Sequence, residues 1–353
     1  MEKQLMKGND AIAEAAVRAG CRFFAGYPIT PQNEVPEYLS WRLPQAGGVF
    51  VQAESEVAAI NMVFGAAGAG FRALTSSSSP GISLKLEGIS YLAGAELPCV
   101  IINVMRAGPG LGGIQPAQGD YFQATKGGGH GDYRLLVLSP STIQEAVDLM
   151  SLAFEKADQY RIPVLLLIDG LLAQMMEPVE LPEMTMPTPQ EKPWATVGWE
   201  NKNRPRAIIT SEYLDPTELE NHNLLLQERY ADITANERRS EAMVPDQADL
   251  LVVAYGSTAR IVQTAVAAVN NEGGKTGWFR PISLWPFPTP ELLEAARNSK
   301  KVLVVEMSSG QMVEDVRLAV NGSKDVSFYG RMGGLIPSAE ELIEVIKSTV
   351  VEA

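Results

Sequence analysis

Four short stretches of the chain carry side chains able to do chemistry, and each directly follows an apolar run. Thr30 lies in GYPITPQNEV (residues 26–35), stiffened by Pro28 and Pro31, just after Phe23-Phe24-Ala25. Glu54 and Glu56 follow VFVQA, the hydroxyls Ser76 to Ser79 follow RALT, and Arg106 ends CVIINVMR. Together these are the donors and acceptors that a small anionic substrate needs. A guanidinium meets a carboxylate with paired hydrogen bonds. A hydroxyl held still donates to developing negative charge without reorganising. Each group also has a plainer reading: Thr30 as a helix cap ahead of Pro31, a first-turn glutamate complementing the helix dipole, serines capping the helix that opens at Pro80, and Arg106 in a surface ion pair. No metal cage is legible, because the only histidines are His130 and His222 and neither has a partner at ligand spacing.

The elements that position these groups alternate between helical and strand patterns, the signature of a parallel sheet covered on both faces. The pattern predicts a helix capped by Asn9 and ended by Gly20, a strand over 22–25, a helix over 31–43 disturbed by Pro36, and a strand over 49–52. Next come a small-residue helix over 55–68, a strand over 72–75, a helix over 80–95 with Ser79 as cap, and a strand over 99–104. Strands over 135–138 and 164–168 flank a helix over 142–156. In an open parallel sheet ligands bind beyond the carboxyl ends of the strands, which is where all four candidate groups fall.

At 353 residues and 46% hydrophobic content the chain can bury two ordinary cores. We divide it into residues 1–180, a proline-rich connector with a charged helical arm over 181–246, and a smaller alternating unit over 247–353. With 29 basic and 42 acidic residues the formal charge is -13, which argues against nucleic acid or anionic lipid as partner. No apolar stretch approaches a membrane span, so the expected location is the cytoplasm. Cys21 and Cys99 are too few for an iron-sulfur cluster and read as buried thiols.

Three glycine clusters invite a nucleotide reading. GPGLGG (108–113) departs from G-x-G-x-x-G and opens no clear helix; GGGHG (127–131) reads as a flexible surface or interface loop; YGSTARI (255–261) leads a strand into a helix, as an anion site or simply as a capped turn. Neither Lys126 nor His130 receives a role.

GYPITP (26–31), EVAAIN (56–61), TSSSSPGISLKLEGISYLAGAELP (75–98) and VMRAGPGLG (104–112) resemble the alpha subunit of the 2-oxoacid:ferredoxin oxidoreductases. SSSSPGISLK and GGGHGDYR most resemble the type acting on branched 2-oxo acids such as 2-oxoisovalerate (3-methyl-2-oxobutanoate). The likeness runs from about Lys7 to the C-terminus. It implies an α/β fold: a thiamine diphosphate pyrimidine-binding domain with a mostly parallel sheet, followed by a transketolase C-terminal-like domain. It also implies a cofactor shared between two subunits.

In such enzymes a glutamate at the start of a small-residue helix hydrogen-bonds the cofactor's aminopyrimidine, and Glu56 matches it, with Glu54 as rival. The resemblance further assigns Thr30 and Arg106 to the 2-oxo acid, and Pro28, Ile29, Ser77 and Ser78 to cofactor contact. The chain lacks the Gly-Asp-Gly stretch that would hold magnesium and diphosphate. A beta subunit is therefore expected to supply both, with gamma and ferredoxin-like delta subunits carrying electrons to ferredoxin. The implied reaction is oxidative decarboxylation to an acyl-CoA, coenzyme A being co-substrate. 2-Oxoglutarate or pyruvate as substrate, or a non-catalytic scaffold, are the alternatives.

Overall fold

A computed structural model describes residues 3–184, 192–198 and 206–351; connector residues 185–191 and 199–205 lie outside the described part. The chain runs β1 (Gln4–Lys7), α1 (Gly8–Arg18), β2 (Phe23–Gly26), α2 (Glu34–Gln45), β3 (Val49–Gln52), α3 (Glu56–Gly68), β4 (Ala73–Ser77), α4 (Ser79–Gly94) and β5 (Cys99–Met105). It continues through α5 (Tyr121–Thr125), β6 (Leu136–Leu138), α6 (Ile143–Tyr160), β7 (Pro163–Asp169), α7 (Gly170–Gln174) and β8 (Met176–Val179). After the connector come α8 (Pro216–Asn236), β9 (Ser240–Met243), β10 (Ala248–Val253), α9 (Gly256–Asn271), β11 (Thr276–Pro281) and β12 (Ser283–Trp285). The last elements are α10 (Thr289–Arg297), β13 (Ser299–Glu306), α11 (Met312–Val320), β14 (Asp325–Gly330) and α12 (Ala339–Val351).

The larger sheet has seven strands in the order β12-β6-β7-β5-β4-β2-β3, parallel except for β12 against β6. Every residue of β5 and β7 is buried, which is why both read as unbroken apolar runs. The smaller sheet has the order β14-β13-β10-β11-β9, with only β9 antiparallel. β12, from the C-terminal third, thus completes the first sheet, and β9, from the connector region, completes the second. β1 and β8 pair antiparallel outside both sheets.

The starts of several helices need correction, while the helical reading of the charged segment holds. Lys7, not Asn9, stands at the N-cap position of α1 and its side chain makes no capping bond, while the Asn9 amide donates to Pro31 O at 2.8 Å and to Glu34 Oε2 at 2.8 Å. α2 opens at Glu34 rather than at Pro31, because Pro31 O is already taken by Asn9 and by Gln174 Nε2 at 2.6 Å. Pro36 then falls in the first turn, where a missing N–H costs no intrahelical bond. The charged segment expected as an arm is the helix α8, and it lies on the body. Its Leu226, Tyr230 and Ile233 are buried, Arg229 pairs with Glu96 at 2.6 Å, and the Tyr230 ring meets Trp285 edge-on.

The glycine clusters also resolve. Gly112 has φ +60, and a Cβ there would meet Ala107 O at 1.9 Å, so GPGLGG is a tight loop between β5 and α5. GGGHG lies against α4: Ser90 Oγ donates to His130 O at 2.6 Å, and the ring of His130 meets Tyr91 edge-on. The N-terminus of α9 is filled from within, since Ser257 N donates to Asp169 Oδ2 at 2.8 Å. Lys126 pairs with Asp315, which also accepts from Tyr121 Oη at 2.5 Å, tying α5 to α11. Cys21 and Cys99 are free, buried thiols. Among the described residues no helix is long and apolar enough to cross a membrane.

Candidate active site

The carboxyl ends of β2, β3, β4 and β5 bring the candidate groups to one edge of the larger sheet, in two clusters on either side of the first turn of α4. In the first, Glu56 opens α3, is 6% exposed, and follows Ser55, whose hydroxyl caps the helix by accepting from Ala58 N at 3.1 Å. Glu54, the rival carboxylate, is exposed. A Cβ on Gly81 would stand 2.1 Å from Ser77 Oγ and 2.7 Å from Glu56 Oε1, so the glycine leaves room where carboxylate and hydroxyl converge on α4. Ser77 Oγ and Ser78 Oγ are buried without a partner among the described residues. Capping does not explain them: Ser78 is the N-cap residue of α4, yet its side chain makes no capping bond. Among the neighbouring serines, Ser76 Oγ donates to Gln32 Oε1 at 2.5 Å and Ser79 Oγ accepts from Arg106 N at 3.0 Å.

The second cluster holds Thr30 and Arg106. Arg106 is 8% exposed and forms no ion pair among the described residues; its Nη1 donates to Thr30 O and its Nη2 to Leu111 O, each at 3.0 Å. Its buried Nε has no partner. Each terminal nitrogen carries two protons, so Nε–H and one proton on each Nη remain for a ligand. Thr30 Oγ1 accepts from Asn33 Nδ2 at 3.3 Å. Arg106 opens onto a cavity of about 510 Å³ and Thr30 onto one of about 370 Å³, with the 107–116 loop contributing to both walls. Pro28 is exposed and Ile29 half-buried, so these two stand at the surface rather than in either cluster.

Sequence reasoning missed three polar groups here. Asn103, buried in β5, accepts from Ser79 N at 3.1 Å and donates to Asp120 Oδ2 at 2.9 Å. Asp120 lines the larger cavity; burial raises its carboxyl above the ordinary value, against the hydrogen bonds from Ser79 and Asn103. Lys85 lies wholly buried on α4. Its one legible signal is spacing, for Ile82, Lys85, Ile89 and Leu92 repeat on the buried stripe of that helix.

A mostly parallel sheet with a buried glutamate, unpartnered hydroxyls and an open-handed arginine at its carboxyl edge has the layout of a cofactor-dependent enzyme domain. Residues 14–244 match the family described as pyruvate flavodoxin/ferredoxin oxidoreductase, thiamine diphosphate-binding, and residues 248–342 match pyruvate:ferredoxin oxidoreductase core domain II. The chain belongs to the 2-oxoacid:ferredoxin oxidoreductase family. It is 50% identical over 347 residues to ketoisovalerate oxidoreductase subunit VorB of Methanothermobacter thermautotrophicus, covering 98% of each chain. It is 37% identical to the 2-oxoglutarate synthase subunit KorA of Methanothermobacter marburgensis, again covering 98% of both.

Among solved structures, the 2-oxoglutarate:ferredoxin oxidoreductase from Magnetococcus marinus, with 2-oxoglutarate, coenzyme A and succinyl-CoA bound, superposes with a TM-score of 0.88 at 29% identity. The match covers 99% of this chain and 65% of that one. A split-gene transketolase shares the fold alone, at a TM-score of 0.57 and 12% identity. The residues at the first cluster fit the aminopyrimidine of thiamine diphosphate: a buried carboxylate, two buried hydroxyls lacking partners, and the space left by Gly81.

Proposed function

We propose that this chain is the pyrimidine-binding alpha subunit of an oxidoreductase that converts 2-oxoisovalerate, a branched 2-oxo acid, to its acyl-CoA and passes the electrons to ferredoxin. The observation that carries the reading is Glu56 beside the unpartnered Ser77 hydroxyl in the space that Gly81 leaves open. When bound, thiamine diphosphate supplies the carbon nucleophile that attacks the 2-oxo carbon. Glu56 holds and returns the proton at the pyrimidine ring nitrogen, a task for a fixed carboxyl in a dry pocket. Ser77 and Ser78 orient the pyrimidine by hydrogen bonds, with Pro28 and Ile29 at its outer side. Arg106 binds the substrate carboxylate through its free Nε–H and remaining Nη protons, and the Thr30 hydroxyl donates to the 2-oxo oxygen as negative charge grows there.

A beta subunit supplies magnesium and the diphosphate grip, consistent with the missing Gly-Asp-Gly stretch. The outer faces of α3 and α4 offer it Val57 and Leu84, apolar side chains 45% and 54% exposed beside the cluster. Gamma and ferredoxin-like delta subunits complete the cytoplasmic complex, because two separate buried thiols hold no cluster. The substrate follows the closer likeness, 50% to a ketoisovalerate oxidoreductase subunit against 37% to a 2-oxoglutarate synthase subunit. The test is viologen reduction by the enzyme purified anaerobically on a tagged copy of this chain, given coenzyme A and a panel of 2-oxo acids. The highest kcat/KM is expected with 2-oxoisovalerate. A preference for 2-oxoglutarate or pyruvate would overturn the substrate, and no reduction with any 2-oxo acid would overturn the activity.

A further inference from the structure

Lys85 has no exposed surface, yet its only described hydrogen bond runs from Nζ to Thr75 Oγ1 at 2.6 Å. Thr75 is committed in turn, its hydroxyl donating to Ala25 O at 2.7 Å, so its oxygen is fixed as the lysine's acceptor. An ammonium carries three protons, and burying it with one neutral acceptor is costly unless a negative charge is near. Glu56 on α3 packs at Gly81, where a Cβ would stand 2.7 Å from its Oε1, one helical turn before Lys85 on the same helix, and Cys99 on β5 is the other ionisable group nearby. Burial pushes the Cys99 thiol up to about 12, which leaves it neutral. Glu56 is therefore the negative group near it among the described residues, without a direct ion pair between them, and it is the carboxylate assigned above to the cofactor's pyrimidine. The close packing of α3 on α4 that brings the two together needs Gly81 and Gly88, since a Cβ on Gly88 would meet Ile60 Cγ2 at 2.4 Å.

We propose that Lys85 is a positioning residue for the cofactor's proton: anchored by Thr75 one turn along α4 from the seat of Glu56, its ammonium acts on that carboxylate through space and opposes a second positive charge on the pyrimidine beside it. The inference rests on the thiamine diphosphate reading of this site. Burial lowers the Lys85 ammonium to about 7, against the pull of Glu56, so its charge is present below neutrality and lost above it. While present, it holds down the pH at which the bound pyrimidine takes up a proton; without it, that pH rises.

The test is a pH titration of the near-ultraviolet circular dichroism of bound thiamine diphosphate, with thiamine content and melting temperature measured in parallel. It uses the enzyme purified with the subunits that assemble on this chain. In Lys85→Met the midpoint is expected to rise by about one pH unit with the cofactor still bound. In Thr75→Val, where the lysine remains but loses its anchor, a smaller rise in the same direction is expected. Thr75→Val decides the matter alone if Lys85→Met does not assemble. Unchanged midpoints in cofactor-loaded variants overturn the role of Lys85 and leave the cofactor reading standing. Wild-type enzyme that binds no thiamine diphosphate overturns both.

Discussion

At Arg106 the backbone takes up part of the guanidinium and leaves the rest aimed at a ligand. Two carbonyls, from Thr30 and Leu111, fix its plane, so the free Nε–H is presented without the entropy cost a mobile arginine would bear. Arg106→Lys keeps the charge but loses the planar fork, and KM for the 2-oxo acid should rise about tenfold or more. An unchanged KM would return Arg106 to a purely structural role. The Ser77 hydroxyl separates function from stability more cleanly. A buried hydroxyl without a partner gains nothing for the fold, so Ser77→Ala should leave the melting temperature level or raised while thiamine diphosphate affinity falls by about 3- to 10-fold. Intact affinity would remove Ser77 from the site.

Secondary-structure elements deliver these groups through close approaches that glycine permits. Gly81→Ala would push a methyl into Ser77 Oγ and Glu56 Oε1, which forces the carboxylate off its seat while α4 itself gains helix propensity. Folded enzyme with thiamine content reduced by about tenfold is the expected result, and full loading would show that the space is not used. This scale is also where sequence reading does best and worst. Strand β3 and helix α3 fall within one residue of expectation, the helix starting one residue late because Ser55 caps it rather than joining it. The start of α2 does not, because two side chains remote in sequence, Asn9 and Gln174, claim the carbonyl that a helix from Pro31 would use. Lys85 is legible only through its spacing on the buried stripe, and its neighbour is hidden for a similar reason. A lysine in a helix ordinarily reads as exposed, and only the packing of α3 on α4 shows that a carboxylate lies one turn away at Gly81.

Across the whole molecule the two sheets are bracketed by buried polar side chains rather than by apolar contact alone. Gln118, with no exposed surface, donates to Tyr255 O at 2.9 Å and accepts from Thr258 Oγ1 and Met307 N, each at 3.0 Å. Removing it strands three buried groups, so Gln118→Ala should cost about 3 kcal/mol of unfolding free energy; a loss below about 0.5 kcal/mol would mean that the bracket is dispensable. The larger cavity lies where the units meet, with Arg106 and Asp120 on one wall and Gln311 and Met332 on the other. No local pattern announces that juxtaposition, because each half comes from a separate stretch of chain and only the folded whole closes it. The exchange of β12 and β9 between the sheets belongs to the same level of organisation.

The account depends most on Glu56 as the group that activates the cofactor. Its most direct test is the rate at which the C2 proton of bound thiamine diphosphate exchanges with deuterated solvent, followed by acid quench and NMR in the assembled enzyme. Glu56→Gln should retain the cofactor and slow exchange by about 100-fold or more. Exchange at the wild-type rate in a fully loaded Glu56→Gln enzyme would contradict it.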